Sequence, residues 1–166
     1  METEKISKQN MGNAGEFYIA YLLSSMNYVV MITLGRNEGY DLVALNPSGK
    51  SYRISVKTRK PKTKKSFPLR DKDGIFKGND FYYAFVRLNN FEDEPDYWIV
   101  PSRVVSEVVK NSHESYLKEP NKEGGKHQDS KIRTFWVANS RYYPENWGEE
   151  IKKYYKNWDL LNLPEN

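Results

Sequence analysis

The chain has 166 residues, a formal net charge of +4, no cysteine and two histidines, a size that suits one domain with a sizeable core. The missing cysteines exclude disulfides, thiolate catalysis and cysteine-type zinc sites, and the separated His113 and His127 argue against a histidine-built metal centre, so any metal here needs oxygen ligands. No apolar run approaches the ~20 residues of a membrane-spanning helix, and the polar start METEKISKQN has no signal-peptide block, so a cytoplasmic protein without a membrane partner is expected.

A helix is predicted from Asn13, where NAGEFYIAYLLSSMNY sets Ile19, Leu22, Leu23 and Met26 at helical spacing. Glu16 then has two readings. In one, Asn13 caps the helix and Glu16 closes a capping box. In the other, Glu16 stands at the N-terminal end of the core-facing stripe of Ile19, Ala20 and Leu23 and points into a site. Tyr28–Thr33, β-branched and apolar, reads as a buried first strand.

The stretch from Gly39 to Lys57, GYDLVALNPSGKSYRISVK, reads as a hairpin whose turn lies in Asn46-Pro47-Ser48-Gly49-Lys50. Pairing Leu45 with Ser51 places Asp41 opposite Ser55 and diagonal to Lys57, close enough to share one ion. The same register puts Val43 and Leu45 on the face of Arg53, which requires both faces of the sheet to be covered. Taken singly, Asp41 is a turn residue and Lys57 the first member of a basic run. Their placement together at one end of a hairpin is what points to chemistry.

Residues 58–80 are expected to form a long loop. Between Lys50 and Lys72 ten basic residues face Asp71 alone, a distribution that attracts a polyanion such as nucleic acid and that a solvated lysine loop also explains. Phe67 or Phe76 in this loop could stack on a base or pack back on the core. Phe81–Leu88 alternates as a central strand, and Tyr97–Val100 follows as another. A helix is predicted from Pro101-Ser102 with Val104, Val105, Val108 and Val109 on one face. From His113 to Lys131 the chain is polar, and both histidines are read as solvated. A strand at Arg133–Val137 and a closing helix at Pro144–Leu161 complete the chain, the latter with a core-facing aromatic stripe of Trp147, Ile151, Tyr154 or Tyr155, and Trp158.

A helix with an acidic residue near its start, then a strand, then an aspartate opening a hairpin that ends in Val56-Lys57-Thr58, resembles the PD-(D/E)XK nuclease superfamily. The phrase GYDLVALNPSGKSYRISVKT is similar to its small bacterial members, restriction-endonuclease-like and Holliday-junction-resolvase-like, in which the hairpin reads G-x-D…Q-V-K-T. FYYAFVRL and PDYWIVPSRVV are similar to the segments that follow in such proteins, so the resemblance spans 12–110. The short motif is degenerate in isolation, and its weight comes from the order of the elements around it.

The resemblance implies a restriction-endonuclease-like three-layer α/β domain over 1–166, with a mixed central sheet flanked by helices, a core in 12–110 and a C-terminal strand and helix in 132–161. It implies that Asp41 binds a divalent ion, that Lys57 orients or activates the attacking water, and that Glu16 adds a further ligand. The metal ligands expected on this basis are Asp41, Glu16 and, weakly, Ser55, with Mg²⁺ or Mn²⁺ as the cofactor. Ser55 departs from the pattern, which carries Glu, Asp or Gln two residues before the lysine. Arg59, Lys60, Lys62, Lys64, Lys65 and Arg70 are the expected nucleic-acid contacts, to DNA in preference to RNA, and a homo-oligomer is compatible with the sequence. Two alternatives stand beside a nuclease: a non-catalytic nucleic-acid-binding module, and a protein-interaction domain on a nuclease-like fold.

Overall fold

Ser7 starts the first helix: its Oγ accepts the Asn10 amide at 3.0 Å, and α1 runs over Lys8–Ser25. In the computed structural model, which describes residues 6–33, 39–60, 65–89 and 93–161, this helix begins ahead of Asn13. Asn13 lies inside it, so no capping box holds Glu16. After α1 come β1 (Val29–Ile32), β2 (Leu42–Leu45), β3 (Ser51–Arg59), β4 (Ser66–Arg70), β5 (Phe81–Arg87), β6 (Asp96–Pro101), α2 (Ser102–Lys118), β7 (Ile132–Trp136) and α3 (Trp147–Glu150), with short 3₁₀ turns at Asp71–Gly74, Ile151–Tyr154 and Asp159–Leu161.

Five strands form a mixed sheet in the order β1-β2-β3-β5-β6, in which β3 and β5 are parallel and the other neighbours antiparallel. The hairpin pairs Leu45 with Ser51 and Leu42 with Ile54, the expected register. Phe81 to Val86 are buried throughout, as a strand covered on both faces must be. On one face Ile54, Val56, Tyr82, Ala84 and Val86 pack under Ile19, Ala20 and Leu23 of α1. On the other, Phe81, Tyr83, Phe85 and Val100 pack under Phe67 and Leu69 of β4, Phe135 of β7, and Val105 and Val109 of α2. Phe85 and Phe135 stack at 4.2 Å. The fold is therefore a mixed α/β arrangement with a central mixed sheet, as expected.

Several elements differ from the sequence reading. β1 is an edge strand with Val29 61% and Met31 52% exposed, not a buried one. These two pair with Leu45 and Val43, and the layer over the Arg53 face stops short of them. Residues 58–80 are not one long loop: β4 pairs with β7 as a second, two-stranded sheet, burying Phe67, so that stacking candidate belongs to the core. Pro68 is tolerated because, among the described residues, β4 has a partner strand on one side only. Helix α2 continues through His113 to Lys118. The closing helix is broken after α3, because Tyr155 bridges to Trp98 at the outer edge of β6 and Lys156 turns into a left-handed conformation, φ 50°. Its aromatic stripe nonetheless faces the core through Trp147, Ile151 and Tyr154. His113 is not solvated: its side chain is 14% exposed and Nε2 lies 2.7 Å from Asp129 Oδ1, while His127 stacks on Tyr116.

Candidate functional site at the end of the hairpin

The site forms where β2 parts from β3. The Asp41 amide donates to the Ile54 carbonyl at 2.8 Å, the last backbone bond of that ladder. Beyond it β3 keeps β5 on one side and, among the described residues, has no strand on the other. The orphaned Val56 amide is taken up by the Asp41 carboxylate, which accepts it through Oδ2 at 2.6 Å and accepts the Ser55 hydroxyl through the same oxygen at 3.2 Å. Asp41 thus finishes the edge of β3 with one oxygen and leaves Oδ1 uncommitted among the described residues. Gly39, at φ +127°, makes the turn that brings the chain into this position, a conformation that a side chain disfavours.

Helix α1 crosses β3 at the same point. A Cβ on Gly15 would stand 2.0 Å from Thr58 Oγ1, so the glycine lets helix and strand backbones approach. The next residue, Glu16, is thereby delivered beside Asp41 and Lys57, and both act on it electrostatically. Burial, and then the Asp41 charge, push the Glu16 carboxyl above its ordinary value, while Lys57 draws it back. Neither the Glu16 carboxylate nor the Lys57 ammonium forms a hydrogen bond or ion pair among the described residues, although both are partly buried. Two carboxylates and an ammonium therefore meet without neutralising one another by direct contact.

A second group adjoins Lys57. Asp73, in the turn after β4, is 5% exposed and accepts the Arg70 amide at 2.9 Å and the Tyr83 hydroxyl at 2.8 Å. Burial works to raise its pKa, but these two bonds and the charges of Lys57 and Lys77 together hold its carboxyl below the ordinary value. The same burial and the Asp73 charge push the Tyr83 hydroxyl up. Lys77 Nζ lies 3.4 Å from Asp73 Oδ1 and over the rings of Phe81 and Tyr83. Sequence reasoning missed Asp73 and Lys77. The available signal was the turn chemistry of Asp71-Lys72-Asp73-Gly74, which fixes a cap but not what the cap faces.

The expected nucleic-acid contacts are less uniform than a free basic loop. Arg59 Nε donates to the Ser66 carbonyl and Lys60 Nζ to the Ile6 carbonyl, so both tie elements together. Lys65 and Arg70 are exposed. Lys62 and Lys64 lie outside the described residues. Phe76 is 45% exposed beneath the Arg103 guanidinium.

No protein-family model matches the chain, and no curated protein matches it. A solved structure does: that of a bacterial homing endonuclease, I-Ssp6803I, is similar over 95% of this chain and 94% of its own, with a TM-score of 0.51 and 17% sequence identity. The likeness is one of fold. No helix among the described residues is long and apolar enough to cross a membrane.

The two carboxylates at the hairpin's end are oxygen donors of the kind a divalent ion takes: Mg²⁺ is commonly held by one or two carboxylates, with water and substrate phosphate completing its shell. Asp41 Oδ1 and Glu16 would hold it. Among the described residues no three His, Asp or Glu side chains come together as a metal cluster, and the Ser55 hydroxyl is turned toward Asp41.

Proposed function

We propose that the chain is a metal-dependent nuclease that hydrolyses phosphodiester bonds of nucleic acid, DNA in preference to RNA. The observation that carries this reading is the convergence of Glu16, Asp41 and Lys57 where β2 leaves β3, with Glu16 and Lys57 uncommitted among the described residues. The nuclease-like fold of the similar homing endonuclease supports it.

When bound, Mg²⁺ or Mn²⁺ supplies Lewis acidity at a phosphate oxygen and lowers the pKa of water. The chain's own groups do the rest. Asp41, fixed by the Val56 amide, and Glu16, fixed by the Gly15–Thr58 crossing, set where the negative donors stand. The Lys57 ammonium holds the attacking water and faces the charge that grows on the scissile phosphate, a preorganised arrangement that needs no reorientation as that charge develops.

Cleavage of linear duplex DNA and of single-stranded RNA, followed on gels with Mg²⁺, Mn²⁺ or EDTA, tests the reading. Wild type is expected to cut with either metal and not in EDTA, and Asp41→Ala and Lys57→Ala each to lose ~100-fold or more in rate. Full cutting by both variants would remove them from the mechanism. One observation favours a second reading, a binding module without cleavage: Ser55 presents a buried hydroxyl, bonded to Asp41, where a third acidic donor would stand. Salt-sensitive retention of DNA by wild type with no product under either metal is its signature.

A further inference from the structure

A second cationic feature lies on the same face of β3 as Lys57. A cleft of about 430 Å³ is lined by Gly39, Tyr40, Arg53, Lys72, Lys77 and Phe81. Three of the six are cations and none is an acid. Arg53 is held by Asp80 through Nε and Nη2, at 2.7 and 2.8 Å, and donates to the Lys77 carbonyl at 2.8 Å, which leaves its Nη1 uncommitted among the described residues. Lys77 has a side chain only 17% exposed, with Asp73 as its partner at 3.4 Å. That carboxylate is already shared with the Tyr83 hydroxyl and the Arg70 amide. Lys72 is exposed and enters no ion pair among the described residues. Burial pulls the Lys77 ammonium below its ordinary value, Asp73 raises it, and Lys57 and Lys72 lower it again. A cation so placed gains from an added anion.

We infer that this cleft seats a backbone phosphate of the same nucleic-acid strand that crosses Asp41 and Lys57. The inference rests on the nuclease reading and extends it to a second subsite. Position supports the assignment. Gly39 is two residues from Asp41, and Arg53 lies on the same face of β3 as Lys57, four residues or ~13 Å along the strand. Each DNA strand carries one phosphate per ~3.4 Å of helix axis, so a strand crossing Lys57 presents further phosphates to the cleft. The walls suit a phosphate better than a carbonyl-rich or apolar ligand. Lys72 and Lys77 act as point charges, Arg53 offers a directional N–H, and the Phe81 and Tyr83 rings beneath Lys77 restrict its movement.

Fluorescence anisotropy on a labelled duplex, with and without Ca²⁺, across a series of salt concentrations tests this. Each phosphate contact contributes about 0.9 to the slope of log affinity against log salt. Lys72→Ala and Lys77→Met are each expected to weaken binding and flatten that slope by ~1, while Lys110→Ala on the exposed face of α2 leaves it unchanged. Thermal melting establishes that Lys77→Met folds, and the exposed Lys72 decides the matter if it does not. An unchanged slope in Lys72→Ala, or an equal loss in Lys110→Ala, overturns the subsite while leaving the nuclease reading intact. No salt-sensitive binding by wild type overturns both.

Discussion

At Glu16 the demands of chemistry and of stability oppose each other. Its carboxyl is raised by burial and by Asp41, so its folded pKa lies above the ordinary 4.5, and the ionised form that a metal needs is the one the fold tolerates less. The resulting destabilisation is absent below that ordinary value and grows as pH rises through the raised range. Glu16→Gln is therefore expected to melt higher than wild type at about pH 7, with the difference closing toward about pH 4, while metal-dependent cleavage drops ~10–100-fold. A variant that melts lower at neutral pH would show that its surroundings favour the charge. Asp73 has the opposite sign. Its folded pKa lies below the ordinary 3.8, so its contribution is present above that value and is lost as pH falls through the lower one. Asp73→Asn leaves the Arg70 amide or the Tyr83 hydroxyl poorly matched and should cost ~1–3 kcal/mol in urea unfolding at neutral pH, less in acid.

Between elements, the crossing of α1 over β3 sets the site's dimensions. Gly15 packs against Thr58, and their neighbours Glu16 and Lys57 are residues of the proposed site. Gly15→Ala gains ~1 kcal/mol of helix propensity but drives a Cβ into Thr58 Oγ1, and overpacking of ~1–3 kcal/mol should win. Thermal melts are expected to show destabilisation, with part of it recovered in Gly15→Ala/Thr58→Ala, because removing Oγ1 relieves the 2.0 Å contact and leaves the Thr58 Cβ at 3.0 Å. Purely additive losses would disprove the contact. The hairpin was legible from its alternation and its turn, and with it the register from Leu45–Ser51 to Leu42–Ile54, beyond which the Asp41 carboxylate meets the Ser55 hydroxyl. The capping of α1 was not, since Ser7 and Asn13 are equally good caps and the packing of the first turns decides between them. Apolar content marked β1 as a strand, but apolar content does not report whether a neighbour covers it. Asp73 and Lys77 escaped notice because their relation to Lys57 is made by the pairing of β4 with β7 and by Tyr83, contacts between segments far apart in the chain.

Across the whole molecule, two cores lie on opposite faces of one sheet, and the C-terminal segment links them. Trp147, Ile151 and Tyr154 belong to the core under β4 and β7. Tyr155 then bridges Trp98, the Lys156 amide donates to the Tyr97 carbonyl at 3.0 Å, and the chain rounds the edge of β6. Trp158 and Leu161 enter the core under α1, where the Leu161 carbonyl accepts the Tyr52 hydroxyl and the Leu160 carbonyl accepts that of Tyr82. Ending the chain at Lys156 removes the burial of Leu161, worth ~1.5–3 kcal/mol, and withdraws both acceptors, each costing ~1–3 kcal/mol where the hydroxyl stays buried. Against a typical total of ~5–15 kcal/mol this is a large share. The truncated chain should show a much lower urea midpoint, and amide exchange should accelerate in α1 before it does in β4 and β7, because the core being opened is the one beneath α1. Leu161→Ala, which keeps the backbone acceptors, should lose ~2–5 kcal/mol and so bound the packing part of the effect. Since α1 carries Glu16, cleavage should decline as α1 loses protection. Exchange that quickens uniformly across both faces would instead mean that the sheet, not the tail, joins the two cores.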